Sequence, residues 1–220
     1  RSLQPATKIE VSDALDHEFA AAFPYTETED QAEAIAETLK DLRSGKAMDR
    51  LVCGDVGFGK TEIALRAAFS TVMSGKQVAL VVPTTLLCRQ HYSTFIERFK
   101  GVPVRIEQLS RMVGEKSAND IRHGIENGEV DIVIGTHALL SSKITFKNLE
   151  LLIVDEEQHF GVTHKERLKK LRVGVHILTL TATPIPRTLQ MALTGVKEMS
   201  LIGTAPVDRL AVRTFILPFD

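Results

Sequence analysis

The sequence predicts an α/β fold: one domain with a mostly parallel central sheet and helices on both faces. Three observations predict it. Short, nearly continuous apolar runs alternate with stretches of helical periodicity for most of the chain, the pattern of strands buried on both sides and joined by crossover helices. Gly75, Gly101, Gly128 and Gly174 punctuate the joins. The glycine-rich run Gly54-Asp55-Val56-Gly57-Phe58-Gly59-Lys60-Thr61 follows apolar Leu51-Val52-Cys53 and opens the helix-patterned stretch Glu62 to Met73. A strand therefore feeds a glycine-rich loop that starts a helix. A length of 220 residues holds one sizeable core or two small ones, and favours one domain with attachments.

The elements follow in order. Residues 1 to 22 read as a lead-in without an assigned role, helical over Asp13 to Phe19. Thr28 with Gln31 three residues later has the spacing of a capping box, opening a helix with Ala32, Ile35 and Leu39. Strands are expected at Leu51 to Cys53, Val78 to Val82, Val104 to Leu109, Ile132 to Ile134, Leu151 to Val154 and His176 to Leu180. Between them, Leu86, Leu87, Gln90, Phe95 and Phe99 share a helical pattern, as does Glu115 to Ile125. From Gly203 through Pro206 and Leu210 to Phe215 the chain reads as a loop and then a strand leading elsewhere. The expected organisation is a lead-in over 1–22, a nucleotide-binding lobe over 23–202 and a tail over 203–220. The first residue is Arg1 rather than Met, which suggests a piece of something longer.

Composition narrows the function. A net charge of -1 gives no bulk attraction to nucleic acid, so any basic surface must be local. Cys53 and Cys88 lack metal-ligand spacing and fit small core hydrophobes in a reducing compartment; the seven histidines include no helical zinc pair. No structural metal is expected. Without a long apolar run or a secretory leader, the expected location is cytoplasmic, with no membrane partner.

The glycine-rich run has the chemistry of a phosphate-binding loop. Glycines let successive N–H groups turn inward, and the helix N-terminus beyond adds partial positive charge. Residues 54 to 62, ending in Glu62, are the candidate nucleotide contacts; Lys60 can reach the β- and γ-phosphates and the Thr61 hydroxyl can ligate Mg²⁺. Leu151-Leu152-Ile153-Val154-Asp155-Glu156-Glu157-Gln158 places acids at the C-terminal end of an apolar strand, where open α/β sheets gather ligands. Such acids also suit a solvated loop, but paired with the phosphate loop they point to hydrolysis: Asp155 would hold Mg²⁺ with Thr61, and Glu156 would polarise the attacking water. Lys60, Asp155 and Glu156 are therefore the catalytic candidates, and ATP with Mg²⁺ the expected cofactors. Thr181-Ala182-Thr183-Pro184 ends another apolar strand; it reads either as hydroxyls beside those acids or as a helix start.

Together these motifs resemble motifs I, II and III of the superfamily 2 helicases and translocases. Pro83-Thr84-Thr85-Leu86-Leu87 and Gly135-Thr136-His137 resemble motifs Ia and Ib, which in that superfamily hold the nucleic-acid backbone. Phe23-Pro24-Tyr25 with Gln31 resembles its adenine-recognition region, so Phe23 and Gln31 join the candidate cofactor contacts while the capping-box reading of Gln31 also stands. The wording of residues 54–62, 81–87 and 179–189, the last running from Thr179 through Ile185, Pro186, Arg187 and Thr188 to Leu189, is similar to the branch holding RecG and the transcription-repair coupling factors. Ala47-Met48-Asp49-Arg50-Leu51-Val52-Cys53, Phe58, and Asp208-Arg209-Leu210-Ala211-Val212 favour the coupling factors. One departure stands out. The family pattern Asp-Glu-Glu-His-Arg-Phe-Gly has Gln158 and His159 here in place of His and Arg; Gln158, Thr181 and Thr183 are the residues expected to couple hydrolysis to DNA.

The resemblance implies a RecA-like ATP-binding lobe with a partner lobe that supplies arginine fingers, and the residues after Thr183 lack the length to form that partner here. Such fingers are worth about a thousandfold to a hundred-thousandfold, so the isolated chain is expected to be nearly inactive. Duplex DNA contact is expected on Thr84, Thr85, Arg89, Ser110, Arg111, Thr136 and His137, where grip would fall on phosphates; helix capping for the two threonines of motif Ia and a solvated loop for Ser110-Arg111 are the plainer alternatives. The basic run His164, Lys165, Arg167, Lys169, Lys170 and Arg172, with Glu166 interleaved, is left outside that set as an exposed helix end. RNA polymerase and excision-repair proteins are implied partners through regions outside this chain. Alternatives are a RecG-like fork remodeller and an ATP-dependent DNA-binding switch without DNA-stimulated turnover; a small-molecule kinase lacks sequence for an acceptor pocket.

Overall fold

The computed structural model describes residues 5–183 and 197–206. Pro184 to Leu189, Asp208 to Val212 and the tail strand expected towards Phe215 lie outside the described residues. Among the described residues seven strands, all parallel, form one sheet: β1 Asp49–Gly54, β2 Gln77–Val81, β3 Ile106–Leu109, β4 Ile132–Gly135, β5 Leu149–Asp155, β6 His176–Thr181 and β7 Glu198–Ile202, in the order β3-β4-β2-β5-β6-β1-β7. The strand of the acids, β5, and the strand of the phosphate loop, β1, both pair with β6. Parallel pairing delivers the phosphate loop, the acids and Thr181-Ala182-Thr183 to the same edge.

The helices are α1 Asp13–Ala21, α2 Glu29–Arg43, α3 Lys60–Met73, α4 Thr85–Arg98, α5 Glu115–Asn127 and α6 Val162–Leu171. Alternate strand residues feed two cores. On one face Val52, Leu80, Ile134, Ile153 and Leu178 pack with side chains of α1 to α4; on the other Val81, Val133, Leu152 and Ile177 pack with α5 and α6. This is the period of a sheet covered on both sides. Ile63, Ala64, Leu65, Ala67, Ala68, Phe69 and Val72 are all buried on α3, which lies against α1, α2 and the sheet. A helix apolar around most of its circumference needs such enclosure.

Two features lie outside what the sequence analysis assigned. Residues of the lead-in join the core on the α1–α4 face of the sheet. Ile9 is buried, Phe19 stacks on Phe69 at 4.1 Å between ring centroids, and the Thr7 carbonyl pairs with Nε2 of buried His176 at 2.8 Å. Met48 N–H donates to His176 Nδ1 at 3.1 Å, so Nε2 carries the proton. The second is the unforeseen strand β7, which has no apolar run: Glu198 and Leu201 are exposed while Ser200 and Ile202 are buried. Ser200 is buried because Arg50 of β1 donates to its hydroxyl at 2.7 Å while also pairing with Glu37 and Asp41 of α2, each at 2.8 Å. Removing one partner would strand a buried charge. A polar tether, invisible to hydrophobic patterning, holds this strand.

Candidate functional site

The phosphate loop is shaped by left-handed glycines and braced from α2. Gly57 and Gly59 have φ of 81° and 80°, and Gly59 caps α3 with no side chain over the helix N-terminus. Backbone donors there suit an anion. The capping box is real: Gln31 N–H donates to Thr28 Oγ1 at 3.2 Å and Thr28 N–H to Gln31 Oε1 at 3.0 Å. The other end of the same amide donates to the Phe58 carbonyl at 2.8 Å, so Gln31 ties the start of α2 to the loop. A Cβ on Gly59 would lie 2.3 Å from that amide nitrogen.

Lys60 Nζ donates to the Gly54 carbonyl at 2.5 Å and the Asp55 carbonyl at 2.9 Å. Burial holds its pKa below the usual lysine value, against the opposing pull of Glu156, Asp155 and Asp55. The loop lysine and the acids at the end of β5 thus lie near enough to feel each other's charge. Gly57, Gly59, Thr61 and Glu62, with Phe23, Tyr25 and Gln31, line a cleft of about 1330 Å³. Phe23 packs edge-on against Tyr25 at 5.6 Å. Val56, at the loop tip, is exposed, whereas Phe58 is buried. Glu62 is buried too, but Arg66 at 2.6 Å and Arg98 at 2.8 Å hold its carboxylate, which makes it part of the frame beside the cleft.

The acids differ in environment. Asp155 is buried at the end of β5, its Oδ2 2.7 Å from Nε2 of buried His91 on α4. Glu156 has φ 53°, the sole positive value outside glycine among the described residues, a conformation that costs about 1–2 kcal/mol and marks a constrained site. Surrounding bonds hold it: Glu156 N–H donates to the Leu180 carbonyl at 3.0 Å, and Ala182 N–H donates to Glu156 Oε1 at 2.9 Å. The Gln158 amide donates to Glu156 Oε2 and, at 3.2 Å, to the Thr183 hydroxyl, while Thr183 N–H donates to Thr181 Oγ1 at 3.1 Å. The Gln158 departure therefore keeps a physical link from acid to Thr183. His159 is exposed. Thr61 and Asp155 offer the oxygen donors Mg²⁺ prefers, and the uncapped helix with Lys60 suits a triphosphate, so the residues present fit both expected groups.

On the expected DNA side, Thr84 caps α4, accepting from Leu87 N–H at 3.2 Å, and is exposed, as are Arg89, Arg111 and His137; Thr85 is half-buried. Ser110 is buried, its hydroxyl accepting from Met112 N–H at 3.3 Å. Thr136 is 2 % exposed and its hydroxyl has no hydrogen-bond partner among the described residues. The face thus presents Thr84, Thr85, Arg89, Arg111 and His137, with Ser110 and Thr136 set behind it. His137 stacks on His164 at 4.9 Å, which brings one member of the excluded basic run to this face; burial, then His137, then Arg167 lower the His164 pKa. Sequence reasoning missed His91 and Arg98. Nothing in the pattern of α4 sets His91 apart from its neighbours, and Arg98 reads there as an ordinary helix-end base.

The parallel sheet, the phosphate loop and the acids at its C-terminal edge define a RecA-like nucleotide-binding lobe. The chain belongs to the DEAD/DEAH box helicase family, whose profile matches residues 28–192. It is 55% identical over its whole length to the transcription-repair-coupling factor of Rickettsia prowazekii, and 57% identical over 92% of its length to that of Escherichia coli. It spans about a fifth of each relative, 20% and 18%. RecG solved bound to a three-way DNA junction has the same fold with a TM-score of 0.82 and 34% identity, over 94% of this chain and 28% of RecG.

Proposed function

We propose that this chain is the ATP-binding lobe of an ATP-dependent duplex-DNA translocase of the transcription-repair-coupling type. The observation that carries the reading is Glu156, held in a left-handed conformation between Ala182 and Gln158, with Lys60 close enough to feel its charge. In this reading Lys60 and the loop amides hold the β- and γ-phosphates, Thr61 and Asp155 take Mg²⁺, and Glu156 orients the attacking water. Bound Mg²⁺ would supply neutralisation of charge building on the transferred phosphoryl oxygens. Phe23 and Gln31 would recognise adenine, the Gln31 amide exchanging one of its present partners for the base. Gln158, Thr181 and Thr183 would pass the state of the acid to the loop after β6.

Duplex DNA would lie on Thr84, Thr85, Arg89, Arg111 and His137, held by its phosphates and therefore independent of sequence. Higher identity to the coupling factors than to RecG supports the former role over fork remodelling. RNA polymerase and excision-repair proteins would engage other parts of the parent protein, in the cytoplasm. Among the described residues no helix is long and apolar enough to cross a membrane.

The test is ATP hydrolysis with and without duplex DNA, on this chain and on the chain extended through a following lobe. DNA-stimulated turnover confined to the extended form is expected. Turnover by the isolated chain at the rate of a complete motor would sink the half-site reading. No stimulation in either form would favour a nucleotide-dependent DNA-binding switch.

A further inference from the structure

We propose that His91 is a positioning residue for the metal-binding acid, holding the Asp155 carboxylate in the orientation that ligates Mg²⁺. The inference rests on the nucleotide site proposed above. His91 and Asp155 are both 8% exposed and meet at 2.7 Å. A metal-ligating carboxylate only accepts, so His91 Nε2 carries the proton and donates. The backbone fixes where Asp155 begins, because β5 is paired on both sides, but rotation about the Cβ–Cγ bond stays soft and two-fold. Anchoring Oδ2 fixes the direction of Oδ1. Partners of this kind around metal ligands set ligand orientation and basicity.

The origin of the imidazole matters. His91 lies on α4, whose first turn carries Thr84 and Thr85 and whose exposed side carries Arg89. Residues two apart on a helix project about 200° from each other, so Arg89 faces solvent while His91 reaches the acid. One rigid helix therefore carries both the DNA-facing groups and the anchor of Asp155. Glu156 is tied to the other side of the site, through Ala182 and Gln158.

The test is the affinity of the full chain for a fluorescent ATP analogue, measured with Mg²⁺ titrated in and with EDTA, for wild type, His91→Phe and His91→Gln. Phe keeps a planar ring of similar size without the donor, and Gln restores a donor. The expected result is that His91→Phe needs roughly tenfold to a hundredfold more Mg²⁺, keeps its EDTA affinity, and is partly rescued in His91→Gln. Wild-type Mg²⁺ dependence in His91→Phe would overturn the proposal. So would an equal loss with and without Mg²⁺, which marks a structural role only. Wild type failing to bind the analogue under either condition would instead overturn the nucleotide site, and this inference with it.

Discussion

The phosphate loop and the acid loop sit on the same edge of one sheet, yet they are built in opposite ways. Residues 54–59 run from an interior strand into a helix enclosed on nearly every side, with Phe58 buried and Gln31 bracing the loop through the Phe58 carbonyl. Residues 156–159 leave β5 through a strained Glu156 into one turn of 3₁₀ helix with exposed Gln158 and His159. Side chains hold that turn: Glu156 to Ala182, Gln158 to Thr183, and Glu157 to Arg172 at 2.7 Å. The first loop is fixed by packing, the second by a few polar bonds between side chains and backbone. The departure from the family pattern falls in the second, where a changed side chain retunes a link without unfolding a core.

Breaking each loop at its centre should give the largest effects, and of different kinds. In a form containing the second lobe, Glu156→Gln should keep ATP bound but lower turnover by about a hundredfold or more; ATPase assays beside equilibrium nucleotide binding measure both. Lys60→Ala should weaken triphosphate binding and abolish turnover. Normal ATPase in either variant would remove that residue from the site.

Gly59→Ala tests the claim that packing fixes the first loop. The new Cβ meets the Gln31 amide at 2.3 Å in a backbone with φ 80°, so a cost of about 1–3 kcal/mol is expected. Calorimetry should show a fall in Tm together with lost nucleotide affinity. Gln158→Ala, on the exposed loop, should leave Tm within about 1 °C, because exposed side chains away from buried networks contribute little, yet lower DNA stimulation more than basal hydrolysis. Equal loss of both activities would show that Gln158 supports the acid rather than the coupling.

This contrast also decides what the sequence could reveal. The five interior strands were legible because burial on both faces demands apolar runs, and the phosphate loop because left-handed turns demand Gly57 and Gly59. The edge strand β7 was not, since Ser200 is buried by Arg50 rather than by hydrophobicity. Lead-in residue Ile9 has no periodic context that announces its burial. In the site, Lys60 and the acids could be placed because their spacing from strand ends is short and local. His91 could not: it meets Asp155 across 64 residues of chain, and no local pattern encodes that distance.

The smallest expected effect concerns Asp30, which joins the braced region to the exit from the sheet. Its Oδ2 accepts from Gly203 N–H at 2.9 Å and Thr204 N–H at 2.8 Å, so the segment after β7 is pinned beside Gln31. The Thr204 side chain, then the Thr204 and Gly203 backbones, hold the Asp30 carboxyl below the usual aspartate range. A folded pKa below the unfolded one means that the unfolded chain binds the proton first as pH falls. The stabilisation is therefore fully present above about pH 4 and is lost as pH drops through the depressed value. Solvent screens this partly exposed site, so Asp30→Asn should cost under about 1 kcal/mol at pH 7. The difference in Tm between wild type and variant should hold down to about pH 4 and shrink between about pH 4 and pH 2. A difference that stays constant over that range would mean that the amide loses shape rather than charge, and that the pin on residues 203–204 is not electrostatic.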